Sequence, residues 1–289
     1  MYERKPQWLK RSYNPNNGQR EVLEIIKKYG LNTVCTAAGC PNKTECHNSG
    51  TATFMLLGKY CTRNCAFCKV EGGAPQTIDA AEPENIALAA NSLKLKHVVV
   101  TSVTRDDIED GGAAHFASTV TALKRHCPNI SVEVLIPDFQ GSETALRKVI
   151  ASNPDVINHN METVSELYGE VRPEADYRRS LKLIENVKKQ DDTGKIITKS
   201  GFMLGLGESS HQVYQLLKDL RGVDCDIVTI GQYLRPSIAH RAVSRYVHPE
   251  EFEAFGSAAY ALGFKYVASA PLVRSSYHAL QAVSAVRDK

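Results

Sequence analysis

Three cysteines stand within eight residues in the segment CTRNCAFC, where Cys61, Cys65 and Cys68 can present three thiolates from one short loop. Structural zinc usually takes four ligands as two separated pairs, so an uneven three fits zinc poorly. Closely spaced thiolates are typical of iron–sulfur cubanes, which normally take four ligands. The loop therefore predicts a cluster with one open iron, at which a reactant can bind.

A second triad lies upstream in CTAAGCPNKTEC and contributes Cys35, Cys40 and Cys46. Its spacing is less specific, and a zinc knuckle remains an alternative. The other two of the eight cysteines, Cys127 and Cys225, stand alone, and we interpret them as packing residues. Clustered thiols without a secretion signal favour a metal over a disulfide scaffold.

The two triads need a scaffold that brings them together. From Thr51 onward, short apolar runs alternate with segments of helical spacing, which is typical of parallel strands joined by right-handed crossovers. Six such units and a last strand-like run, FKYVASA, predict a barrel or partial barrel, with a doubly wound open sheet as the alternative. CTRNCAFC begins two residues after the run TATFMLLG, and residues that follow strands face the ligand in such folds.

Composition and charge argue against several classes of partner. The 289 residues carry 35 Lys and Arg against 32 Asp and Glu, a net charge of +3, without a sustained basic run. A nucleic-acid or membrane partner is therefore not expected. The N-terminal segment MYERKPQWLKR is not an apolar leader, and no run of about 18 apolar residues occurs. We expect a cytoplasmic protein.

The motifs also resemble those of a known family. CTRNCAFC, with Phe67 at the aromatic position, resembles the signature of the radical S-adenosylmethionine superfamily. The second triad together with RSSYHA, residues 274–279, is similar to the lipoyl synthase family within that superfamily. Further similar segments are TSVTRDDIEDGGA, NHNMETV, VRPEADYRRSL, MLGLGE and IGQYLRPS.

The resemblance implies a fold and a division of the chain. The fold is α/β, a partial (β/α)6 TIM-like barrel with an N-terminal cysteine-bearing extension and a short C-terminal extension. The extension with the second triad spans residues 1–50, the barrel spans residues 51–270, and the C-terminal extension with the RSSY serine spans residues 271–289.

The resemblance further implies two [4Fe–4S] clusters. The first triad holds the radical-generating cluster, whose open iron binds S-adenosylmethionine. The auxiliary cluster takes four ligands: Cys35, Cys40, Cys46 and Ser276. Ser275 is so close that the sequence alone does not choose between the two serines. A hydroxyl oxygen suits iron less well than a thiolate, so we expect the serine bond to be the labile one.

The activity implied by the resemblance is that of a radical sulfurtransferase of lipoate biosynthesis and protein lipoylation. It inserts two sulfur atoms, drawn from the auxiliary cluster, into a protein-bound octanoyl-lysine. Implied partners are octanoylated lipoyl domains or H-protein, and a ferredoxin or flavodoxin as electron donor, with the enzyme a monomer. The alternatives are another two-cluster radical enzyme, such as a methylthiotransferase or biotin-synthase-like sulfur inserter, and a structural metal module or electron carrier without enzymatic activity.

Five further residues are candidates for contact with the cofactor: Phe67, Thr101, Asn160, Glu162 and Arg172. Asn160 and Glu162 follow the run DVINH and could bond the ribose hydroxyls, although a helix start capped by Asn is an equal alternative. Arg172 could meet the methionine carboxylate or form a surface ion pair of little value. Thr101 follows the run HVVV at the expected mouth of the barrel.

Overall fold

The computed structural model describes residues 4–10, 16–49 and 52–288. In these ranges seven strands form one sheet, with the strands in chain order. The strands are β1 (Thr53–Leu56), β2 (His97–Ser102), β3 (Ser131–Leu135), β4 (Val156–Asn158), β5 (Ile197–Leu204), β6 (Ile227–Gln232) and β7 (Tyr266–Ser269).

Eleven α-helices accompany the strands in the described ranges. They are α1 (Asn17–Lys28), α2 (Val34–Ala37), α3 (Lys43–Asn48), α4 (Glu82–Ser92), α5 (Ala113–His126), α6 (Glu143–Ala151), α7 (Tyr168–Val171), α8 (Tyr177–Gln190), α9 (Ser210–Gly222), α10 (Pro249–Ala261) and α11 (Ala279–Arg287). The first three precede the sheet, and the last one follows it.

All neighbouring strands pair in parallel, and each connection between them contains a helix. Within the described chain, β1 and β7 pair on one side only, so the sheet does not close. This is the α/β partial barrel expected from the sequence, with six strand–helix units and a last strand. The in-order arrangement follows from crossovers of constant right-handedness.

Local sequence sets the helix boundaries. Helix α9 begins behind a capping box in which the backbone N–H of Ser209 donates to Gln212 Oε1 at 2.8 Å. Helix α5 begins after Gly112, whose φ of +87° is left-handed. A Cβ at Gly112 would also meet the Leu57 side chain at 2.3 Å, so both the backbone conformation and the packing require glycine.

Helices cover the outer face of the sheet along both of its halves, β1–β4 and β5–β7. Phe54 and Phe116 are fully buried between β1–β4 and helices α4–α6, and Leu217 and Phe252 are fully buried between β5–β7 and helices α9 and α10. Parallel strands that are buried on both faces appear in a sequence as continuous apolar runs. For this reason the strands were visible in the sequence.

Helix α11 packs across the N-terminal ends of three strands. Its Ala282 and Val283 are buried with Val156, Ile197 and Ile227, the first residues of β4, β5 and β6. Helix α11 therefore covers the N-terminal ends of these strands, on the side opposite the mouth. None of the helices in the described ranges is long and apolar enough to cross a lipid bilayer. The predicted boundary between residues 50 and 51 lies outside the described residues.

Candidate functional site

The first cysteine triad lies on an irregular loop at the C-terminal end of β1. The Cys61 Sγ accepts hydrogen bonds from the backbone N–H groups of Thr104 at 3.3 Å and Arg63 at 3.5 Å. Burial above all, together with negative charge on Cys65, Glu162 and Cys61, raises the pKa of the Cys68 thiol to about 12. The loop thus holds three partly buried thiols close together.

An arginine inside the motif fixes this loop to the barrel. Arg63 donates to both carboxylate oxygens of Asp106 at 2.6 and 2.9 Å and to Asp138 Oδ1 at 2.6 Å. Arg179 donates to the other oxygen of Asp138 at 2.8 Å. Although burial alone would raise the pKa of Asp138, the Arg63 guanidinium holds it well below its usual range. The sequence analysis missed this network, although Arg63 stands between two of the cysteines.

A cavity of about 490 Å³ opens where the strands end, and we call it the mouth cavity. Phe67 and Cys68 line one side, and Asn160 and Glu162 line another. Gly201 forms part of the wall, where a Cβ would meet Thr229 Oγ1 at 2.4 Å. The volume lies in the range of small-molecule sites. The first triad therefore borders a chamber that can hold a cofactor.

Glu162 and Arg172 lie together in the loop that follows β4. Glu162 accepts from Asn160 Nδ2 at 3.0 Å and has a left-handed φ of +66°, outside any helix. Arg172 Nη1 donates to the carbonyls of Asn160 at 2.9 Å and Met161 at 3.2 Å, and to the Tyr168 hydroxyl at 3.1 Å. Burial raises the pKa of Glu162, and the charge of Arg172 opposes this. Neither the helix start nor the surface ion pair considered above is present.

The structure separates Thr101 from the other candidate cofactor residues. Phe67, Asn160 and Glu162 line the mouth cavity, and Arg172 bonds the backbone of the same loop. Thr101 is buried and donates its hydroxyl to the Leu135 carbonyl at 3.0 Å, and it does not line the mouth cavity. Its observed role is to join β2 to β3.

The second triad lines its own cavity of about 400 Å³, which we call the auxiliary cavity. Cys35, Cys40, Cys46 and Ser276 all face this cavity. Thr53 donates its hydroxyl to Ser276 Oγ at 2.9 Å. Burial is the main cause that raises the pKa of Cys35. The N-terminal triad and the C-terminal serine thus reach one site.

Direct hydrogen bonds join the N-terminal segment that carries the second triad to the C-terminal segment beside the auxiliary cavity. Asn42 Nδ2 donates to the Leu272 carbonyl at 2.7 Å across 230 residues of sequence. The Tyr277 hydroxyl donates to Glu45 Oε1 at 2.7 Å. The sequence analysis did not name Asn42 or Glu45, because short polar residues in an aperiodic segment carry no signal of a distant partner.

The two neighbouring serines face different surroundings. Ser275 Oγ accepts from Asn158 Nδ2 at 2.7 Å and donates to Asn160 Oδ1 at 3.0 Å. Asn158 in turn donates to Glu133 Oε1 at 2.9 Å in the interior of the barrel. Both serines line the mouth cavity, but only Ser276 of the two also lines the auxiliary cavity. The hydroxyl of Ser275 is therefore committed to the barrel, whereas Ser276 faces the cysteines.

The two cavities share a wall. The residues that line both are Cys35, Cys40, Thr53, Arg274 and Ser276. The C-terminal segment lies close enough to β6 that a Cβ on Gly231 would meet the Val273 carbonyl oxygen at 2.2 Å. A reactant in the mouth cavity would therefore lie between the first triad and the wall formed by the second.

The cysteine geometry bears on the kind of metal that could bind. All eight cysteines are free thiols. In residues 4–10, 16–49 and 52–288, no three His, Cys, Asp or Glu side chains converge closely enough to surround one metal ion. A zinc knuckle needs such convergence on a single ion. A cubane spreads its iron atoms over several corners, so its thiolates stand farther apart. Thiolates are the ligands that iron–sulfur cubanes take, so the two cysteine triads fit such clusters.

Comparison with known proteins gives close relatives over the whole chain. The model of the radical SAM superfamily, in which SAM stands for S-adenosylmethionine, matches residues 55–220. Lipoyl synthase of Caldanaerobacter subterraneus subsp. tengcongensis is 55% identical over 288 residues, which cover 99% of this chain and 100% of the relative. Lipoyl synthase of Alkaliphilus metalliredigens is 52% identical, with coverage of 97% and 96%.

Solved structures share the fold at low sequence identity. Methylornithine synthase aligns with a TM-score of 0.51 at 13% identity, covering 86% of this chain and 77% of that chain. HydG, a maturase of the [FeFe]-hydrogenase, aligns with a TM-score of 0.56 at 12% identity, covering 91% and 71%. At these identities the likeness concerns the partial barrel alone.

Proposed function

Because the chain belongs to the lipoyl synthase family of the radical SAM superfamily, we propose that its two triads hold two [4Fe–4S] clusters with different tasks. In this proposal Cys61, Cys65 and Cys68 hold the radical-generating cluster. The auxiliary cluster, which donates the sulfur, has the ligands Cys35, Cys40, Cys46 and Ser276. The chain is a radical SAM sulfurtransferase that inserts two sulfur atoms into a protein-bound octanoyl-lysine group to form lipoyl-lysine.

The cofactors explain why such a reaction needs this scaffold. An unactivated aliphatic C–H bond cannot be broken by side-chain bases of ordinary pKa. When bound, the clusters and S-adenosylmethionine would supply two things: a carbon radical, which abstracts hydrogen atoms from the substrate, and the sulfur atoms that replace those hydrogen atoms. The chain's own residues bind and orient these groups and shield the radical from water.

One observation carries the proposal most strongly, namely that both triads border the mouth cavity. Phe67 and Cys68 lie on one side, and Cys35, Cys40 and Ser276 lie on another. An acyl chain in this chamber would meet the radical source and the sulfur donor without leaving it. Holding reactants in a fixed geometry removes much of the entropic cost of their encounter.

We assign the fourth auxiliary ligand to Ser276. Ser275 already uses its hydroxyl in two hydrogen bonds, to Asn158 and Asn160, and turns into the barrel. Ser276 faces the cysteines and is held by Thr53 at 2.9 Å. An oxygen ligand binds iron less firmly than a thiolate, so Ser276 would be the weakest of the four ligands.

The contacts with S-adenosylmethionine are proposed at the mouth cavity. Phe67 would pack against the cofactor, and Asn160 and Glu162 would bond its polar groups. Arg172 would hold the loop with Nη1, which is bonded to backbone carbonyls, and its buried Nε, which has no hydrogen-bond partner in the described residues, would be the donor to the methionine carboxylate. The sequence predicted that Thr101 contacts the cofactor. Its hydroxyl is instead bonded to the carbonyl of Leu135, which lines the mouth cavity, so Thr101 would act on the cavity only through Leu135.

Lipoyl-domain proteins are the substrates implied by family membership. We further propose that H-protein is accepted, that ferredoxin or flavodoxin supplies the electrons, and that the enzyme works as a monomer in the cytoplasm, where thiols stay reduced. We also propose the division into extensions at residues 1–50 and 271–289 around a barrel at 51–270. The hydrogen bonds between the two ends support treating them as parts of one site.

The test is anaerobic reconstitution followed by turnover with an octanoyl-lysyl peptide, a reductant and S-adenosylmethionine. We expect about eight iron atoms per chain, four in each cluster. Cys61→Ala should abolish cleavage of S-adenosylmethionine. Cys40→Ala should spare cleavage and abolish sulfur gain by the peptide, measured by mass. Cys127→Ala, a cysteine outside both triads, should retain both activities.

Two results would contradict the assignment of the triads. One is sulfur insertion by both the Cys61 and the Cys40 variants. The other is a chain that binds zinc, or only one cluster, after reconstitution. Either result would leave the partial barrel intact and would require a different set of ligands.

A further inference from the structure

Arg274 occupies the wall between the two cavities. Of the five residues that line both, it is the one with a permanent charge. Its Nη1 donates to the carbonyl of the adjacent Val273 at 2.6 Å. No carboxylate of the described chain lies within ion-pair distance of it, in contrast to Arg63, which binds two aspartates. The guanidinium of Arg274 therefore has N–H groups that form no ion pair with a carboxylate of the described chain.

The surroundings of Arg274 make this unusual. Arg274 is partly buried, and Cys40 and Glu162 line the mouth cavity with it. A shielded cation without a paired anion is costly, so proteins normally pair it or place it where an anion binds. The packing also holds it in place, because a Cβ on Gly231 would stand 3.2 Å from Arg274 Nη1.

The charge of the proposed cluster supplies the missing partner. Three thiolates and a serine alkoxide outweigh the positive charge of a cubane core, so the assembled auxiliary cluster is an anion. Lys94 and Lys96 also line the auxiliary cavity, but both are exposed to solvent, where charge is screened. Arg274 is the cation at the wall beside Cys40 and Ser276.

We propose that Arg274 is the counter-charge of the auxiliary cluster and donates guanidinium N–H groups to its anionic sulfur. The inference rests on the ligand assignment proposed above and adds a residue to it. A guanidinium stays protonated and cannot ligate iron, so Arg274 is a positioning residue and not a ligand. Nearby positive charge and hydrogen bonds to sulfur stabilise the reduced state of a cluster and hold it together.

The test uses the full chain with Cys61, Cys65 and Cys68 all replaced by Ala, so that only the auxiliary cluster contributes to the signal. In this parent, Arg274→Gln should shift the midpoint potential to more negative values, and iron loss to a chelator should be several-fold faster. Arg274→Lys keeps the charge and should stay closer to the parent in potential. Arg235→Gln, an arginine that lines only the mouth cavity, is the matched control and should leave both readings unchanged.

Several outcomes would overturn the inference. An unchanged potential and iron-loss rate in Arg274→Gln would do so, as would equal shifts in Arg274→Lys or Arg235→Gln. A parent that binds no cluster would overturn the ligand assignment, and this inference with it. Circular dichroism checks the fold of each variant. If Arg274→Gln does not fold, Gly231→Ala displaces the same segment and must shift the potential in the same direction.

Discussion

A buried ion pair beneath the site offers a sharp test of the energetics. Lys199 Nζ lies 2.9 and 3.0 Å from the two carboxylate oxygens of Glu133, and the two side chains are 1% and 0% exposed. Lys199→Met would leave the carboxylate buried, with Asn158 Nδ2 at 2.9 Å and His97 Nε2 at 3.7 Å as its remaining close partners. Breaking a buried pair from one side costs about 3–5 kcal/mol. We expect the free energy of unfolding at pH 7 to fall by that amount.

The dependence on pH follows from the pKa of Glu133. Burial alone would raise this pKa, but Lys199 and His97 lower it from 4.5 to about 2. The pair therefore stabilises the wild-type fold above pH 4.5, and this contribution is lost as the pH falls toward 2. In Lys199→Met, burial raises the pKa of Glu133 instead, and protonation removes the unpaired charge. The difference in stability between wild type and variant should shrink from pH 7 to pH 5.

Urea unfolding of the metal-free chain, followed by far-UV circular dichroism, measures both quantities. Lys182→Met is the matched control, because it removes an exposed pair with Glu185 and should cost less than about 1 kcal/mol. The double variant Lys199→Met with Glu133→Gln should recover much of the loss. A loss below about 1 kcal/mol for Lys199→Met at pH 7, or a difference that grows on acidification, would refute the reasoning.

Three further predictions concern the site. Ser276→Ala should accelerate iron loss from the auxiliary cluster in a chelator assay. Ser275→Ala should retain iron and lower the unfolding free energy by about 1–3 kcal/mol, because Asn158 and Asn160 each lose a hydrogen bond. Arg63→Met leaves Asp138 without its main partner and should destabilise the chain by about 3 kcal/mol and lower the rate of S-adenosylmethionine cleavage. Cys127→Ala should change the unfolding free energy by less than about 1 kcal/mol, as checked by urea titration.

The barrel could be predicted because its signals are local. Parallel strands with both faces covered produce apolar runs, and the helix boundaries carry glycine or capping residues. The charged residue inside each of the runs ISVEVLI and IITKSGFML was overlooked. These two residues, Glu133 and Lys199, pair across the sheet. A buried charge in an apolar run requires a partner, so the pair could have been proposed from the sequence.

The sequence by itself determined the two cysteine triads as candidate cluster ligands, because thiol spacing along a short loop is a property of neighbouring residues. It also determined the succession of strands. Only the tertiary structure decided that Ser275 turns into the barrel while Ser276 faces the cysteines, and that Arg274 lies between two cavities without an acid. The physical reason is that adjacent side chains point in different directions, and their partners come from strands and loops more than a hundred residues away.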